Sequence, residues 1–266
     1  MKQLSEIFIY PIKSLGGISV READVTDRGL KYDRRWMLID SSGMFLTQRT
    51  HPQMALIKVD VSKDTLFFRN IKNTDQFSVG INETTGKKIN STVWDDQVEL
   101  LQVNTIADEW FSQNLNTRCK LVFMPEETKR LVDKSYAHND EITSLSDGYP
   151  SLIIGQSSLD DLNSKLVKKI PMNRFRPNLV FTGGTPFEED TMNKFFISGI
   201  TFYGLKPCGR CVVTTIDQNT AQKSEEPLKT LASYRTFGNK VNFGMNLLHE
   251  GSGMLKIDDE IITVEK

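Results

Sequence analysis

The stretch Lys206-Pro207-Cys208-Gly209-Arg210-Cys211-Val212-Val213-Thr214-Thr215-Ile216-Asp217 decides how this chain is read, because it sets two thiols and two cations ahead of a β-branched run. A Cys-x-x-Cys pair admits three readings. A structural zinc site needs about four ligands, and beyond the pair there remain only Cys119 and the scattered His51, His138 and His249. A thioredoxin-like dithiol would place its first cysteine at the start of a helix, whereas the run Val212 to Ile216 predicts a strand. The third reading is two small, partly buried thiols at the beginning of that strand, since an unpaired cysteine packs as a small hydrophobe.

Charge tips the reading toward chemistry. Lys206 and Arg210 flank the thiols, and a neighbouring cation favours the thiolate, the form that binds metal. Two other segments concentrate cations: Arg28-Gly29-Leu30-Lys31-Tyr32-Asp33-Arg34-Arg35 and Met172-Asn173-Arg174-Phe175-Arg176-Pro177-Asn178. Either alone reads as a solvated face. Taken with a thiolate, they predict a site for an anionic, metal-bearing ligand.

The chain as a whole supplies no such field. Its 33 basic and 34 acidic residues leave a formal charge of -1, so nothing draws in nucleic acid or an anionic membrane, and any anion site must be local. At 266 residues, with 38% hydrophobic and 25% charged, the sequence is long and apolar enough for one large domain or two modest ones. The apolar run before Pro11 and Lys13 is too short for a signal-peptide core. No stretch approaches the roughly 20 apolar residues of a membrane span. A soluble, cytoplasmic protein is expected, and the odd, small number of cysteines fits a reducing compartment better than a disulfide framework.

Working outward along the chain, β-branched and aromatic runs predict strands at Glu6 to Tyr10, Arg35 to Asp40, Met54 to Val61 and Thr65 to Phe68. Asn104 or Thr105 is placed to cap a helix through Ala107, Trp110 and Phe111 to Leu115. Residues 125 to 148 are polar and aperiodic and predict a connecting loop, with a boundary between two regions near residues 120 to 145. Ser157 or Ser158 is then placed to cap a helix carrying Leu159, Leu162 and Leu166 on one face. Strands are predicted again at Leu179 to Phe181, Phe195 to Tyr203, Val212 to Ile216, Val241 to Phe243 and Glu260 to Val264. Many short strands, few helices and no regular βαβ alternation predict a β-rich α+β architecture or a β-barrel.

Several motifs in order now carry a resemblance over nearly the whole chain: Tyr10-Pro11-Ile12-Lys13-Ser14, Asp33-Arg34-Arg35-Trp36, Gln48-Arg49, Ser146-Asp147, Asn173 to Asn178 and Cys208 to Asp217. Glu226-Pro227-Leu228-Lys229-Thr230-Leu231, Ser233-Tyr234-Arg235 and Phe243-Gly244 extend it. The sequence resembles the MOSC family, named for the C-terminal domain of molybdenum cofactor sulfurase, and in particular its two-part members of the YcbX and mitochondrial amidoxime-reducing kinds. The resemblance implies an N-terminal β-rich MOSC region over residues 1–120 and a MOSC β-barrel domain over 121–266, with a molybdenum cofactor (molybdopterin with Mo) between them. It implies that Cys211 is the metal ligand and catalytic thiolate, and that Lys13, Ser14, Arg34, Arg176, Asn178, Gly209 and Arg210 contact the cofactor. Arginine and lysine suit a phosphate and pterin oxygens, while Asn178 offers a donor and an acceptor to a heterocycle edge. Asp147 is a candidate proton donor or cofactor orienter. The family also carries a pyridoxal phosphate association.

The implied function is a molybdenum-cofactor-dependent reductase of N-hydroxylated or N-oxide compounds. The alternative is a non-catalytic carrier of the cofactor or of its sulfur. Departures from the amidoxime-reducing pattern at Gly148-Tyr149, Gln218 and Asn246 bear on substrate choice more than on metal binding. A ferredoxin-type cluster needs four cysteine ligands, more than the three present, and the Gly-x-Gly-x-x-Gly turn of a dinucleotide site is missing. Electrons are therefore expected from a separate ferredoxin-like or cytochrome-like protein and its reductase.

Overall fold

A computed structural model describes residues 1–264 of the chain. Seven strands close into a barrel in the order Ser151–Gly155, Leu179–Thr182, Lys2–Ile9, Glu260–Thr263, Lys194–Ile197, Ile200–Gly209 and Lys240–Glu250. The last pairs back onto the first, with Ser151 opposite Leu247 and Ile153 opposite Met245. Closure removes the sheet edges that would otherwise present unpaired backbone groups. The barrel interior is a dry cluster that includes Leu4, Ile7, Leu179, Phe181, Phe195, Phe202 and Leu247, all at most 1% exposed.

The first strand of the chain, Lys2–Ile9, thus lies in a barrel built otherwise from residues beyond 150. That placement carries the loop after it, with Tyr10, Lys13 and Ser14, onto the barrel mouth. Ser151–Gly155 and Leu179–Thr182 run parallel, joined by the helix Gln156–Lys165, which supplies the crossover a parallel pair needs. All five residues of Ser151–Gly155 are buried, so the strand shows no alternation. It is therefore missing from the expected strands.

Glu22–Thr26 and Gly29–Leu30 pair in a separate sheet with Gly253–Lys256, while residues 36–123 form a four-stranded sheet, Trp36–Ile39, Lys120–Phe123, Asp96–Gln102 and Lys88–Val93, and a three-stranded meander, Ile57–Ser62, Thr65–Asn70 and Gln76–Gly80. The helix Thr105–Leu115 turns Ala107, Trp110, Phe111 and Leu115 into the core between them. Asn104 caps it as expected, its side-chain oxygen accepting from the Ala107 N–H at 2.6 Å. Among the described residues no helix is long and apolar enough to cross a membrane. The β-rich α+β class with a barrel holds.

Some local expectations fail, for identifiable reasons. Val212–Thr215 is a turn of 3₁₀ helix and not a strand: the Thr214 hydroxyl donates to the Cys211 carbonyl at 3.0 Å and the Thr215 hydroxyl to that of Val212 at 2.7 Å. Threonine hydroxyls bonding back three residues offer the backbone an alternative to a ladder. The second helix starts at Gln156 with Gly155 as its cap residue, because the preceding strand runs straight into it. Its serines are engaged elsewhere, Ser157 donating to the Gly184 carbonyl and Ser158 to Glu189. Met54 sits in the 3₁₀ turn Pro52–Leu56, so that strand begins only at Ile57. The Phe195 to Tyr203 run is broken into a hairpin at Ser198-Gly199.

Candidate functional site

At the barrel mouth, against the N-terminal half, lies a cleft enclosing about 980 Å³ of space, part of it open to solvent. It is lined by Lys13 and Ser14 from the loop after the first strand, Arg34 from the turn before Trp36–Ile39, and Asp147 from the loop leading into Ser151–Gly155. Arg176 and Asn178 reach it from the turn before Leu179–Thr182, and Gly209, Arg210 and Cys211 from the end of the strand Ile200–Gly209. Every site residue expected from the sequence is therefore brought to one cleft.

The cations are built in. The Arg34 and Arg176 guanidinium carbons each lie 4.3 Å from the centre of the buried Tyr10 ring, so one aromatic face system orients two like charges. Arg34 also bonds Asp33, the Asn178 side-chain oxygen at 3.1 Å and the Arg176 carbonyl at 3.3 Å. Arg176 donates to the Leu15 carbonyl at 2.7 Å, and burial pulls its pKa down to about 10. Ser14, Arg34 and Arg176 all hold positive φ, at 69°, 50° and 55°. Left-handed backbone at non-glycine residues is strained and gathers where surroundings enforce a functional geometry.

Arg210 donates through Nε to the Phe243 carbonyl at 2.7 Å and through Nη1 to the Phe175 carbonyl at 3.0 Å, while its buried Nη2 has no partner. A buried, unpaired charged donor costs about 1–3 kcal/mol or more, and an anion oxygen would satisfy it. Six cations line the cleft, Lys13, Arg34, Arg49, Arg174, Arg176 and Arg210, and only three carboxylates, Asp33, Asp147 and Asp217, pair with any of them. That leaves a local excess of three positive charges in a chain whose net charge is -1. The donor set suits a ligand bearing several negative charges.

Asn178 behaves otherwise than expected. Its oxygen accepts from Arg34 and from the Leu152 N–H at 3.3 Å, and its nitrogen donates to the Phe8 carbonyl at 3.2 Å. It ties three segments of the wall together.

Asp147 sits at the cleft rim with its side chain 66% exposed, receiving the buried Lys13 ammonium at 2.6 Å, the Trp94 indole N–H at 3.4 Å and Arg49 at 3.6 Å. Enclosure alone would raise its pKa, but Lys13 and Arg49 outweigh that and hold the carboxyl well below the usual carboxylate range. It is ionised at neutral pH and has no proton to give. Burial lowers the Lys13 pKa, opposed by Asp147, and Lys13 also donates to the Leu145 carbonyl at 2.9 Å.

The two cysteines of the pair are not equivalent. Cys211 starts the 3₁₀ turn, its carbonyl accepting the Thr214 N–H at 3.1 Å. The buried Arg174 grips that turn, donating through Nε to the Thr214 carbonyl at 2.8 Å. Burial pushes the Cys208 thiol up, and Arg210 only partly offsets it. The expectation that flanking cations depress the thiol fails for Cys208, because burial outweighs Arg210, and the Lys206 ammonium is directed at the Tyr136 ring at 4.1 Å and the Tyr149 ring at 4.9 Å. All three cysteines are free, and burial raises Cys119 to about 11. Among the described residues no three His, Cys, Asp or Glu side chains are placed to hold a metal ion. A metal held here would need ligands from a bound group beside at most two protein side chains of these types.

Sequence reasoning assigned no role to Tyr10, Asp33, Arg49, Trp94 or Arg174. Tyr10, Asp33, Arg49 and Arg174 fall within quoted motifs, which was the available signal; nothing local marks Trp94.

The MOSC N-terminal beta barrel domain matches residues 1–118 and the MOSC domain matches residues 140–262. The mitochondrial amidoxime reducing component 2 of Bos taurus is 32% identical over 97% of this chain and 82% of its own length. The mitochondrial amidoxime-reducing component 1 of Homo sapiens is 30% identical over 97% of this chain and 82% of its own. The molybdenum cofactor sulfurase of Oryza sativa subsp. japonica is 32% identical over 93% of this chain, which spans 32% of that larger protein.

Proposed function

The chain belongs to the MOSC family, in its two-part form with a MOSC N-terminal domain, and from that premise we propose that it is a molybdenum-cofactor-dependent reductase of N-hydroxylated or N-oxide compounds. The observation that carries this reading is the cleft that sets the Cys211 segment beside an excess of half-buried guanidinium groups, one with a buried, unpaired nitrogen. Arg176 and Arg210, whose protein partners are carbonyls, would hold the anionic and pterin end, with Ser14 and the Gly209 backbone beside them. Cys211 would supply the soft thiolate ligand. When bound, the cofactor would supply the two-electron chemistry that removes oxygen from nitrogen.

The protein's own residues do the holding. Arg34 and Asn178 fix the wall, Arg174 holds the turn that begins at Cys211, and Asp147 positions Lys13 as an ionised partner. Of the two roles considered for Asp147, positioning is the one its ionisation supports. A pyridoxal phosphate would need a lysine amine free to condense with its aldehyde. Lys13 has two of its donors engaged with Asp147 and Leu145, which favours the metal-pterin reading. We divide the chain as an N-terminal region over 1–120 and a MOSC domain over 121–266, the strand Lys2–Ile9 being lent to the barrel.

Electrons are proposed to arrive from a ferredoxin-like or cytochrome-like partner. Metal and pterin analysis of protein from a cofactor-competent host, followed by assay on an amidoxime, tests the proposal. The expected result is stoichiometric molybdenum with turnover on a reduced viologen dye and none on NADH alone. Molybdenum without turnover would favour the carrier, and no molybdenum would overturn both.

A further inference from the structure

We propose that Trp94 is the platform on which a planar, conjugated N-hydroxylated substrate stacks, so that a hairpin tip of the N-terminal half decides which substrates the barrel cleft takes. The inference rests on the reductase reading. Trp94 and Asp95 form the two-residue turn between Lys88–Val93 and Asp96–Gln102, with Val93 paired to Asp96. Such turns favour glycine, asparagine or aspartate where φ is positive. Here a residue with a bulky indole takes φ of 58° and is left 45% exposed.

Neither feature serves the hairpin, which a smaller residue would close with less strain. Both place the ring at the rim of the cleft. The indole N–H reaches Asp147 at 3.4 Å, a long bond to a carboxylate already held by Lys13 at 2.6 Å, so Asp147 does not depend on it. Arg49, which lines the cleft, stacks on the indole with its guanidinium carbon 4.7 Å from the ring centre. Phe45 meets the ring at a steep 67° and a centroid distance of 5.4 Å, and the Lys13 ammonium lies 5.0 Å over Phe45. One ring, Phe45, and one cation, Arg49, therefore hold the indole beside the cleft, with Lys13 behind Phe45, while leaving part of its surface bare. Backbone strain and exposed aromatic area at a cleft rim are characteristic of a ligand contact. A flat conjugated molecule covers the bare indole by offset stacking, whereas a small aliphatic one does not.

The test uses the cofactor-loaded protein, reduced methyl viologen, and two substrates, benzamidoxime and acetamidoxime. Trp94→Asn suits the positive φ and removes the ring, and Trp94→Phe keeps an aromatic face. The expected result is a loss of roughly three- to tenfold in kcat/KM for benzamidoxime in Trp94→Asn, carried by KM. Acetamidoxime should be nearly unchanged, and Trp94→Phe should retain most of the aromatic preference. A second readout needs no turnover. Trp36 and Trp110 are 1% and 8% exposed, so acrylamide quenching of indole fluorescence reports mainly on Trp94, and benzamidoxime should protect it. Equal losses for both substrates, or no protection together with unchanged benzamidoxime kinetics, would overturn the platform. Protection without turnover of either substrate would overturn the reductase reading and leave the platform standing.

Discussion

Removing Arg34 should destabilise the protein through Asp33. The Asp33 side chain is 1% exposed and Arg34 13%, and the two are paired at the base of the cleft. Breaking a buried pair from one side costs about 3–5 kcal/mol, since the remaining charge stays buried. Two features favour the lower end. Asp33 still accepts the Tyr10 N–H at 2.8 Å, and loss of Arg34 relieves its repulsion with Arg176 over the same ring. For Arg34→Met, which keeps most of the volume, we expect a loss of about 3 kcal/mol. With an unfolding entropy of roughly 2.1 cal/mol/K per residue over 266 residues, about 0.56 kcal/mol/K, this is a fall of about 5 °C in Tm. The measurement is calorimetry or urea denaturation of cofactor-free protein, so that ligand stabilisation does not enter. The double variant Asp33→Asn with Arg34→Met removes both charges and should recover most of the loss. A fall below about 1 °C in the single variant, or a double variant no more stable than the single, would refute the argument that the buried carboxylate carries the effect.

Cys211→Ser should lose molybdenum and Cys208→Ser should largely keep it, read by metal analysis after cofactor loading, because a hydroxyl is not the soft ligand the metal prefers; equal loss would favour a shared dithiol. Cys119→Ser should leave molybdenum unaffected, since Cys119 packs in the N-terminal core away from the cleft lining. Arg174→Ala should loosen the turn starting at Cys211 and lower cofactor retention while costing about 1–3 kcal/mol in stability, because the Thr214 carbonyl loses its donor; unchanged retention would make Arg174 purely structural. Glu189 is buried, its Oε1 has no partner, and burial with Asp190 nearby raises its pKa from 4.5 to about 7. Its folded form therefore holds a proton that the unfolded chain has released, so its contribution is full below about pH 4.5 and is lost as pH rises through about 7. Glu189→Gln should raise Tm relative to the parent at pH 8, by a free energy of up to about 3 kcal/mol. The gap should close near pH 4.5, the ordinary value for this carboxyl; a gap independent of pH would contradict the assignment.

What the sequence determined by itself was chemical type and local periodicity. The Cys208 to Asp217 segment, the two cation clusters and the Asn104 cap are short-range features, readable because side chains a few residues apart interact wherever the chain goes. The motif order was specific enough to bring Lys13, Ser14, Arg34, Asp147, Arg176, Asn178, Gly209, Arg210 and Cys211 into one expectation, and one cleft holds them all. Tertiary structure decided what each does. Whether Val212–Thr215 extends or coils turned on threonine hydroxyls competing with a ladder. Asp147 is held so far below the usual carboxylate range because Lys13, 134 positions away in sequence, and Arg49 are brought against it. Asn178 is a tie because Phe8, Arg34 and Leu152 converge on it. Ser151–Gly155 is a strand because the closing pair with Lys240–Glu250 and the crossover helix bury it on both faces. Trp94 meets Asp147 at the cleft rim because a hairpin of one half leans on a loop of the other. Such outcomes depend on which distant groups share a low-dielectric space, and burial and Coulomb energy follow distance in space, which residue order along the chain does not encode.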